Sequence, residues 1–182
     1  MSTDEKLATL RAQFLENAGR LFDFKVDSWC ESPIERLLLS HMLVHGWECP
    51  DGPPLLRELS AFGIRPNWKV LQSGECTLSC IVQAAVDVEG RSFRVDFAFI
   101  SEIGDRIAVE LDGHDFHERT KEQARHDKSR DRLLATAGWR LLRFTGSEVY
   151  ADPAACLARV RALHASIWQA QYDVFKRASG AR

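Results

Sequence analysis

Between residues 81 and 112 the sequence alternates between apolar and polar residues in three short segments. The segments are residues 81–88, 93–100 and 107–112, and turn-forming residues separate them at 89–91 and 104–105. A period of two is typical of strands that place one face in a core. The pattern therefore predicts three antiparallel strands joined in sequence order, and it constrains the fold more than any other part of the chain.

Helix signals precede these strands. Residues 4–23 carry apolar residues at near-helical spacing. The segment Ser32-Pro33-Ile34-Glu35 then combines an N-cap serine, a proline at the first helical position and a glutamate at the third, and Gly46 marks the end of that helix. The sequence thus predicts two helices before the first strand.

Further elements follow the strands. Residues 117–137 predict a long charged helix ended by Gly138, and residues 139–144 predict a strand buried on both faces. Asp152 and Pro153 begin a C-terminal helix that extends to about residue 175.

Glycines and prolines break up residues 47–75, where the pattern favours a short helix at 55–62 and a strand at 68–71. A meander followed by a helical crossover predicts an α/β fold with a mixed four-stranded sheet and helices on both faces. We expect one domain over 1–182, with an N-terminal helical extension (1–31), a core (32–153) and a C-terminal helix (154–182).

Composition narrows the class of protein. The chain has 182 residues, of which 45% are apolar, and no run approaches the ~20 apolar residues that span a bilayer. Its five cysteines are odd in number and scattered, which suits thiols in a reducing compartment. We therefore expect a cytoplasmic protein with no membrane association.

Three carboxylates lie at positions of the predicted strands where a core would not favour them. Strict alternation in the second strand places one set of side chains on the apolar face, namely Phe93, Val95, Phe97 and Phe99, and the others on the opposite face, namely Arg94, Asp96 and Ala98. In the third strand the apolar face has Ile107, Val109 and Leu111, and the opposite face has Arg106, Ala108, Glu110 and Asp112. Pairing of the strands would bring Asp96, Glu110 and Asp112 together. Clustered carboxylates repel one another unless a cation neutralises them, and oxygen ligands favour Mg²⁺ or Mn²⁺. The alternative interpretation is a solvated sheet face, with Glu35 serving as a helix cap.

Residues 32–153 resemble the PD-(D/E)XK nuclease superfamily, in its very-short-patch-repair-like branch of bacterial endonuclease-like domains. The matching segments in chain order are Ser32-Pro33-Ile34-Glu35, Gln83, Arg94-Val95-Asp96-Phe97-Ala98, Val109-Glu110-Leu111-Asp112-Gly113-His114, Asp127 with Arg130-Asp131 and Leu134, Gly138 to Phe144, and Glu148-Val149. The resemblance implies a restriction endonuclease-like fold.

The resemblance also implies a reaction and its residues. Asp96 and Glu110 would bind a divalent cation, with the Leu111 carbonyl as a further ligand and Glu35 as an outer or second-metal ligand. The implied reaction is hydrolysis of phosphodiester bonds, in DNA, by water that the cation activates. An endonuclease of repair or defence is therefore expected.

One position departs from the superfamily pattern. The usual lysine two residues after the glutamate is Asp112 here. His114 and His117 are the first candidates to carry protons in its place, with Lys121 and Gln83 as further candidates. Asp112 is then a candidate third metal ligand, and both histidines have the alternative interpretation of surface loop residues.

Basic residues concentrate towards the C-terminus, where residues 114–182 carry 13 lysines and arginines against 8 acids. Candidate nucleic-acid contacts are Lys121, Arg125, Arg130 and Arg143. Arg130 lies three residues after Asp127, and an ion pair within the helix is the simplest interpretation. We favour a mixed role, in which Arg130 also turns towards the sheet to stabilise the acids or bind a phosphate. A homodimer or a partner protein is a further possibility.

Two other hypotheses stay open. The missing lysine favours a catalytically degenerate nuclease fold that binds nucleic acid without cutting it. A structural zinc site is the second, because His41, His45 and Cys49 are spaced along one segment and Cys76 and Cys80 along another.

Overall fold

The computed structural model describes residues 16, 19, 25–45, 47–48, 64, 70–73, 76–101, 104–113 and 121–178. Six strands and four helices make up most of these residues. The elements are α1 (Pro33–Val44), β1 (Trp47–Glu48), β2 (Val70–Ser73), β3 (Cys76–Val88), β4 (Arg91–Ser101), β5 (Arg106–Asp112), α2 (Lys121–Thr136), β6 (Trp139–Thr145), α3 (Gly146–Ala151) and α4 (Pro153–Ala178). Residues 16, 19 and 25–29 are also helical.

The strands form one sheet in the order β1-β2-β3-β4-β5-β6. Neighbouring strands are antiparallel except β5 and β6, which are parallel and joined by α2. The predicted four-stranded mixed sheet is confirmed as β3 to β6, and the short strands β1 and β2 extend it beside β3. The helix predicted at 55–62 and most of the one predicted at 4–23 lie outside the described residues.

Helices cover both faces of the sheet, which separates the core into two clusters. On one face, α1, α3 and α4 bury residues such as Leu38, Val149 and Val160 against Phe97 and Val109. On the other face, Leu134 of α2 packs with Ala98 and Ala108. The small alanines of the second cluster give α2 a close approach to the centre of β4 and β5.

Helix and turn signals account for the boundaries of several elements. Ser32 caps α1, because its Oγ accepts a hydrogen bond from the Glu35 N–H at 3.3 Å. Glu89 and Gly90 both have positive φ, 49° and 75°, and join β3 to β4 as a two-residue hairpin turn. Gly138, with φ of 86°, follows the end of α2 as predicted.

The expected alternation along β4 is wrong at its centre. Phe97 and Phe99 lie in the core beneath α1 and α4, but Val95 lies in the core beneath α2, together with Ala98. The alternation of β3 changes at the same level, because Val82 lies in the core beneath α1 and α4 and Ala84 lies in the core beneath α2. Phe93 and Val95 therefore do not share a face with Phe97 and Phe99.

The expectation that residues 139–144 are buried on both faces is also wrong. In β6, Trp139 and Phe144 are buried, whereas Arg140 is exposed and Leu141 and Leu142 are half-buried. The reason is topological, because β6 is the last strand of the sheet and pairs only with β5 along that edge.

The short helix α3 was not predicted, although the sequence carries its signal. Thr145 accepts from the Glu148 N–H at 3.3 Å, and the Glu148 carboxylate accepts from the Thr145 N–H at 2.9 Å. This reciprocal capping box separates α3 from α4, whose own start at Pro153 agrees with the prediction.

Three of the cysteines agree with the expectation of thiols, since Cys30, Cys80 and Cys156 are buried and form no disulfide. Burial raises the pKa of the Cys80 thiol well above its ordinary value. None of the helices in the described part of the chain is both long enough and apolar enough to span a membrane.

Candidate active site

Strands β4 and β5 separate at Asp96, and this separation defines the candidate site. Their register runs from Ile100 opposite Arg106 to Phe97 opposite Val109. Beyond that pair, the Leu111 N–H donates to Asp96 Oδ2 at 2.8 Å. A side-chain carboxylate therefore takes the hydrogen bond that a backbone carbonyl of the neighbouring strand would otherwise accept, and it fixes the Asp96 side chain between the two strands.

The neighbouring strand β3 is distorted at the same level. Gln83 has φ of 52°, the left-handed region that side chains seldom adopt. Val82 and Ala84 still pair with Phe97 and Val95 of β4, which places Gln83 beside Asp96 across the ladder. The change of faces along β3 and β4 thus occurs at Gln83 and Asp96, two of the residues that the sequence predicted to be functional.

Glu35 approaches this region from the first turn of α1. Only 5% of the residue is exposed. Its Oε2 accepts from Gln83 Nε2 at 2.6 Å and from the Glu31 N–H at 3.0 Å. The Glu35 carboxylate therefore accepts from the residue before the N-cap of α1, rather than from the N-cap itself, and it also ties that helix to the distorted strand.

The charges of three carboxylates interact here. The pKa of Asp96 is raised by burial and by Glu35, against the lowering effect of the Leu111 N–H. Burial raises the pKa of Glu110 from 4.5 to about 7, with Arg130 opposing the shift and Asp96 adding to it. Asp96 and Glu110 are thus two desolvated acids in mutual repulsion, as the convergence of their strands predicted.

Arg130 supplies positive charge to this cluster. It lies on α2 and extends to the sheet, where its Nη2 contacts Glu110 Oε1 and donates to the Arg94 carbonyl at 2.5 Å. The side chains of Arg130 and Glu110 are only 15% and 12% exposed. Arg130 is thus directed at the sheet and contacts one of the acids, as one part of its expected mixed role requires.

Asp112, at the position of the missing lysine, belongs to a different ion-pair network. Arg143 Nη1 lies 3.6 Å from Asp112 Oδ1, and Arg143 Nη2 lies 2.7 Å from Asp131 Oδ1. Arg143 therefore bridges β5 and α2. Sequence reasoning missed the part played by Asp131, whose only signal was its place in the motif shared with the nuclease superfamily.

The remaining predicted residues are one exposed arginine and three residues whose side chains lie outside the described ranges. His114 and His117 fall outside them, as does the side chain of Lys121. Arg125 is exposed on α2.

The metal set of Asp96, Glu110, Leu111 and Glu35 stays a prediction. Within the described ranges, no group of three or more His, Cys, Asp or Glu side chains is placed to hold one metal ion. The expectation that Glu35 acts as an outer or second-metal ligand likewise stays a prediction.

The same finding bears on the zinc hypothesis. The rings of His41 and His45 lie 4.2 Å apart between centroids at the end of α1, and Cys80 is fully buried in the core. Cys49 and the side chain of Cys76 lie outside the described part of the chain. No zinc ligand set is assembled among the residues that are described.

Residues 78–163 match the family model REase_MTES_1575, a restriction endonuclease-like family. The match covers slightly less than half of the chain and includes Gln83, Asp96, Glu110 and Arg130. It agrees with the observed architecture, so the fold is restriction endonuclease-like, and it suggests a nuclease. No curated protein and no solved structure matches the chain.

The raised pKa of Glu110 predicts a loss of stability as pH rises. Between pH 4.5 and about 7 the folded protein retains a proton that the unfolded chain has released, so the free energy of unfolding decreases through this window. A shift of this size corresponds to a decrease on the order of 3 kcal/mol. Urea unfolding of the wild type and of Glu110→Gln, from pH 4 to pH 8 with EDTA present, measures it.

The difference between the two proteins isolates Glu110 from the histidines that titrate in the same range. We expect the wild type to lose stability relative to Glu110→Gln as pH rises through the window. Parallel profiles for the two proteins would contradict the assignment.

Proposed function

We propose that this protein is a divalent-metal-dependent endonuclease that hydrolyses phosphodiester bonds in DNA. The observation that carries the proposal is the adjacency of Asp96 and Glu110 where β4 and β5 separate, each with a pKa raised mainly by burial. A cation shared by both carboxylates would offset their repulsion and the cost of their desolvation. The match to a restriction endonuclease-like family supports the same class of reaction.

The donor chemistry fits a hard divalent cation. Asp96, Glu110 and the Leu111 carbonyl offer oxygen ligands only, which suits Mg²⁺ or Mn²⁺ better than softer metals. When bound, such a cation would polarise the phosphate and make an attacking water more acidic.

The chain's own residues prepare this site. The Leu111 N–H holds Asp96 in one orientation, so its carboxylate stays between the strands. Glu35 and Gln83 hold α1 against β3 on the other side of Asp96. Arg143 neutralises Asp112, so we assign Asp112 to this ion pair rather than to metal binding. His114 or His117, which lie just after β5 in the sequence, would carry protons as in the very-short-patch-repair-like branch.

Exposed cations on α2 support a substrate with a phosphate backbone, as the proposed DNA has. Helix α2 carries Arg130 into the site and exposes Arg125 and Lys128 to solvent. Arg125 and Lys128 lie on the helix that brings Arg130 to Glu110, so they would hold phosphates of the substrate backbone while the carboxylates act on one of them. Such contacts read no sequence by themselves.

The nuclease proposal predicts metal-dependent cleavage that requires both acids. Supercoiled plasmid and single-stranded DNA are incubated with Mg²⁺, Mn²⁺ or EDTA, using the wild type, Asp96→Asn and Glu110→Gln. We expect nicking by the wild type with either metal and a rate at least about 100-fold lower in both variants, because each removes a ligand charge that stabilises the transition state. Glu89→Gln, in the exposed β3–β4 turn, removes the same charge outside the site and should cut normally.

Cleavage that survives in Asp96→Asn and Glu110→Gln would place the activity elsewhere. Absence of cleavage together with Mn²⁺ binding that requires Asp96 would instead favour the catalytically degenerate, nucleic-acid-binding domain.

The proposed DNA surface predicts a salt dependence. Each phosphate contact contributes about −0.9 to the slope of log K against log salt, so Arg125→Ala with Lys128→Ala should make the slope less negative by roughly 2. Fluorescence anisotropy with a labelled duplex, in Ca²⁺, provides the affinities. The double variant Arg161→Ala with Arg177→Ala, on exposed positions of α4, removes the same charge and should leave the slope unchanged. Equal effects of the two double variants would contradict a contact surface on α2.

A further inference from the structure

The contact between Arg130 and Glu110 places a fixed cation on a carboxylate that the proposed function assigns to a metal. Arg130 Nη2 contacts Glu110 Oε1, and both side chains are mostly buried. A guanidinium has five N–H donors in a planar arrangement and carries its charge at all accessible pH values. Glu110 therefore has a charged partner that belongs to the chain itself.

More than one contact directs the Arg130 side chain from α2 into the site. The same Nη2 group donates to the Arg94 carbonyl at 2.5 Å, two residues before Asp96 on β4. Leu134, one helical turn further along α2, is completely buried against the sheet. The helix is thus anchored close to Arg130, and its guanidinium bridges β4 and β5 at the level of the two acids.

Arg130 changes the charge balance of the acidic cluster. Glu35, Asp96 and Glu110 are acids whose charges interact, with Asp96 linked electrostatically to both of the others. Arg130 offsets one negative charge among them. A metal cation on the Glu110 carboxylate would be repelled by the Arg130 guanidinium on the same carboxylate. Arg143, the other arginine near Glu110, has its hydrogen bond with Asp131 and its ion pair with Asp112.

We propose that Arg130 and the divalent cation compete for the Glu110 carboxylate, so that Arg130 sets the affinity of the site for metal. This inference rests on the proposed function, because it takes Glu110 to be a metal ligand. Arg130 is then a positioning residue that acts through Glu110.

Isothermal titration calorimetry with Mn²⁺ alone, without nucleic acid, tests the competition. Arg130→Gln should bind Mn²⁺ about tenfold more tightly than the wild type, because it removes a unit charge in contact with a ligand. Arg130→Lys keeps the charge and should bind Mn²⁺ with nearly wild-type affinity. Arg143→Gln removes an equal charge whose close contacts are Asp112 and Asp131, and should change the affinity much less than Arg130→Gln.

Thermal unfolding of each variant establishes that it is folded before titration, and Arg130→Lys remains informative if Arg130→Gln does not fold. Two results would overturn the inference. One is an Arg130→Lys variant that binds Mn²⁺ about tenfold more tightly than the wild type, and the other is an Arg130→Gln variant that binds Mn²⁺ no more tightly than the wild type.

The outcomes also separate this inference from the proposed function. Wild-type binding equal to that of Arg130→Gln contradicts the competition alone. If Arg130→Gln binds Mn²⁺ and the wild type does not, the competition is supported and the proposal that the wild type is a metal-dependent nuclease is contradicted. If no variant binds Mn²⁺, both the competition and the proposed function are contradicted.

Discussion

The hydrogen bond from the Leu111 N–H to the Asp96 carboxylate is the interaction on which the rest of the site depends. It lies where regular pairing between β4 and β5 ends, and it satisfies a backbone donor that the sheet would otherwise leave without its strand partner. Because the bond uses a side chain, the two strands can separate without leaving that N–H unsatisfied. Asp96 and Glu110 lie at this separation as two mostly buried acids whose charges interact, in a sheet that helices cover on both faces.

Placing acids in this position has an electrostatic cost, and the surrounding elements each compensate part of it. Helix α1 supplies Glu35, whose carboxylate accepts from a backbone N–H and from the Gln83 amide. Helix α2 supplies Arg130 to Glu110 and Asp131 to Arg143, while β6 supplies Arg143 to Asp112. The ion pairs therefore cross between elements that are far apart in sequence, so the site and the packing of the sheet depend on the same contacts.

Much of this arrangement could be predicted from sequence because it follows local rules. The alternation in residues 107–112 places Ile107 and Val109 in one core and Ala108 in the other, as the period of a strand requires. The cap at Ser32 and the glycine at 138 act within a few residues of their own elements. The order of the core elements, and the approach of Asp96 to Glu110, follow from pairing consecutive strands.

The features that could not be predicted depend on contacts between distant residues. Nothing local marks Gln83 as a residue with positive φ, so the change of faces along β3 and β4 was missed. Whether residues 139–144 are buried depends on the position of their strand in the sheet, and β6 is the last strand, at the edge. Arg130 contacts Glu110 on β5 and the Arg94 carbonyl on β4, and only the packing of α2 against these two strands determines those contacts.

The central claim is that a divalent cation binds between Asp96 and Glu110. Iron-mediated cleavage of the protein backbone tests it most directly, because Fe²⁺ bound in place of Mg²⁺ generates hydroxyl radicals that cut the polypeptide nearest to the metal. With ascorbate and peroxide, and with mass spectrometry of the fragments, we predict cuts concentrated near residues 96 and 110, and their loss in Asp96→Asn. Cuts concentrated near His41 and His45, or an identical pattern in Asp96→Asn, would contradict the claim.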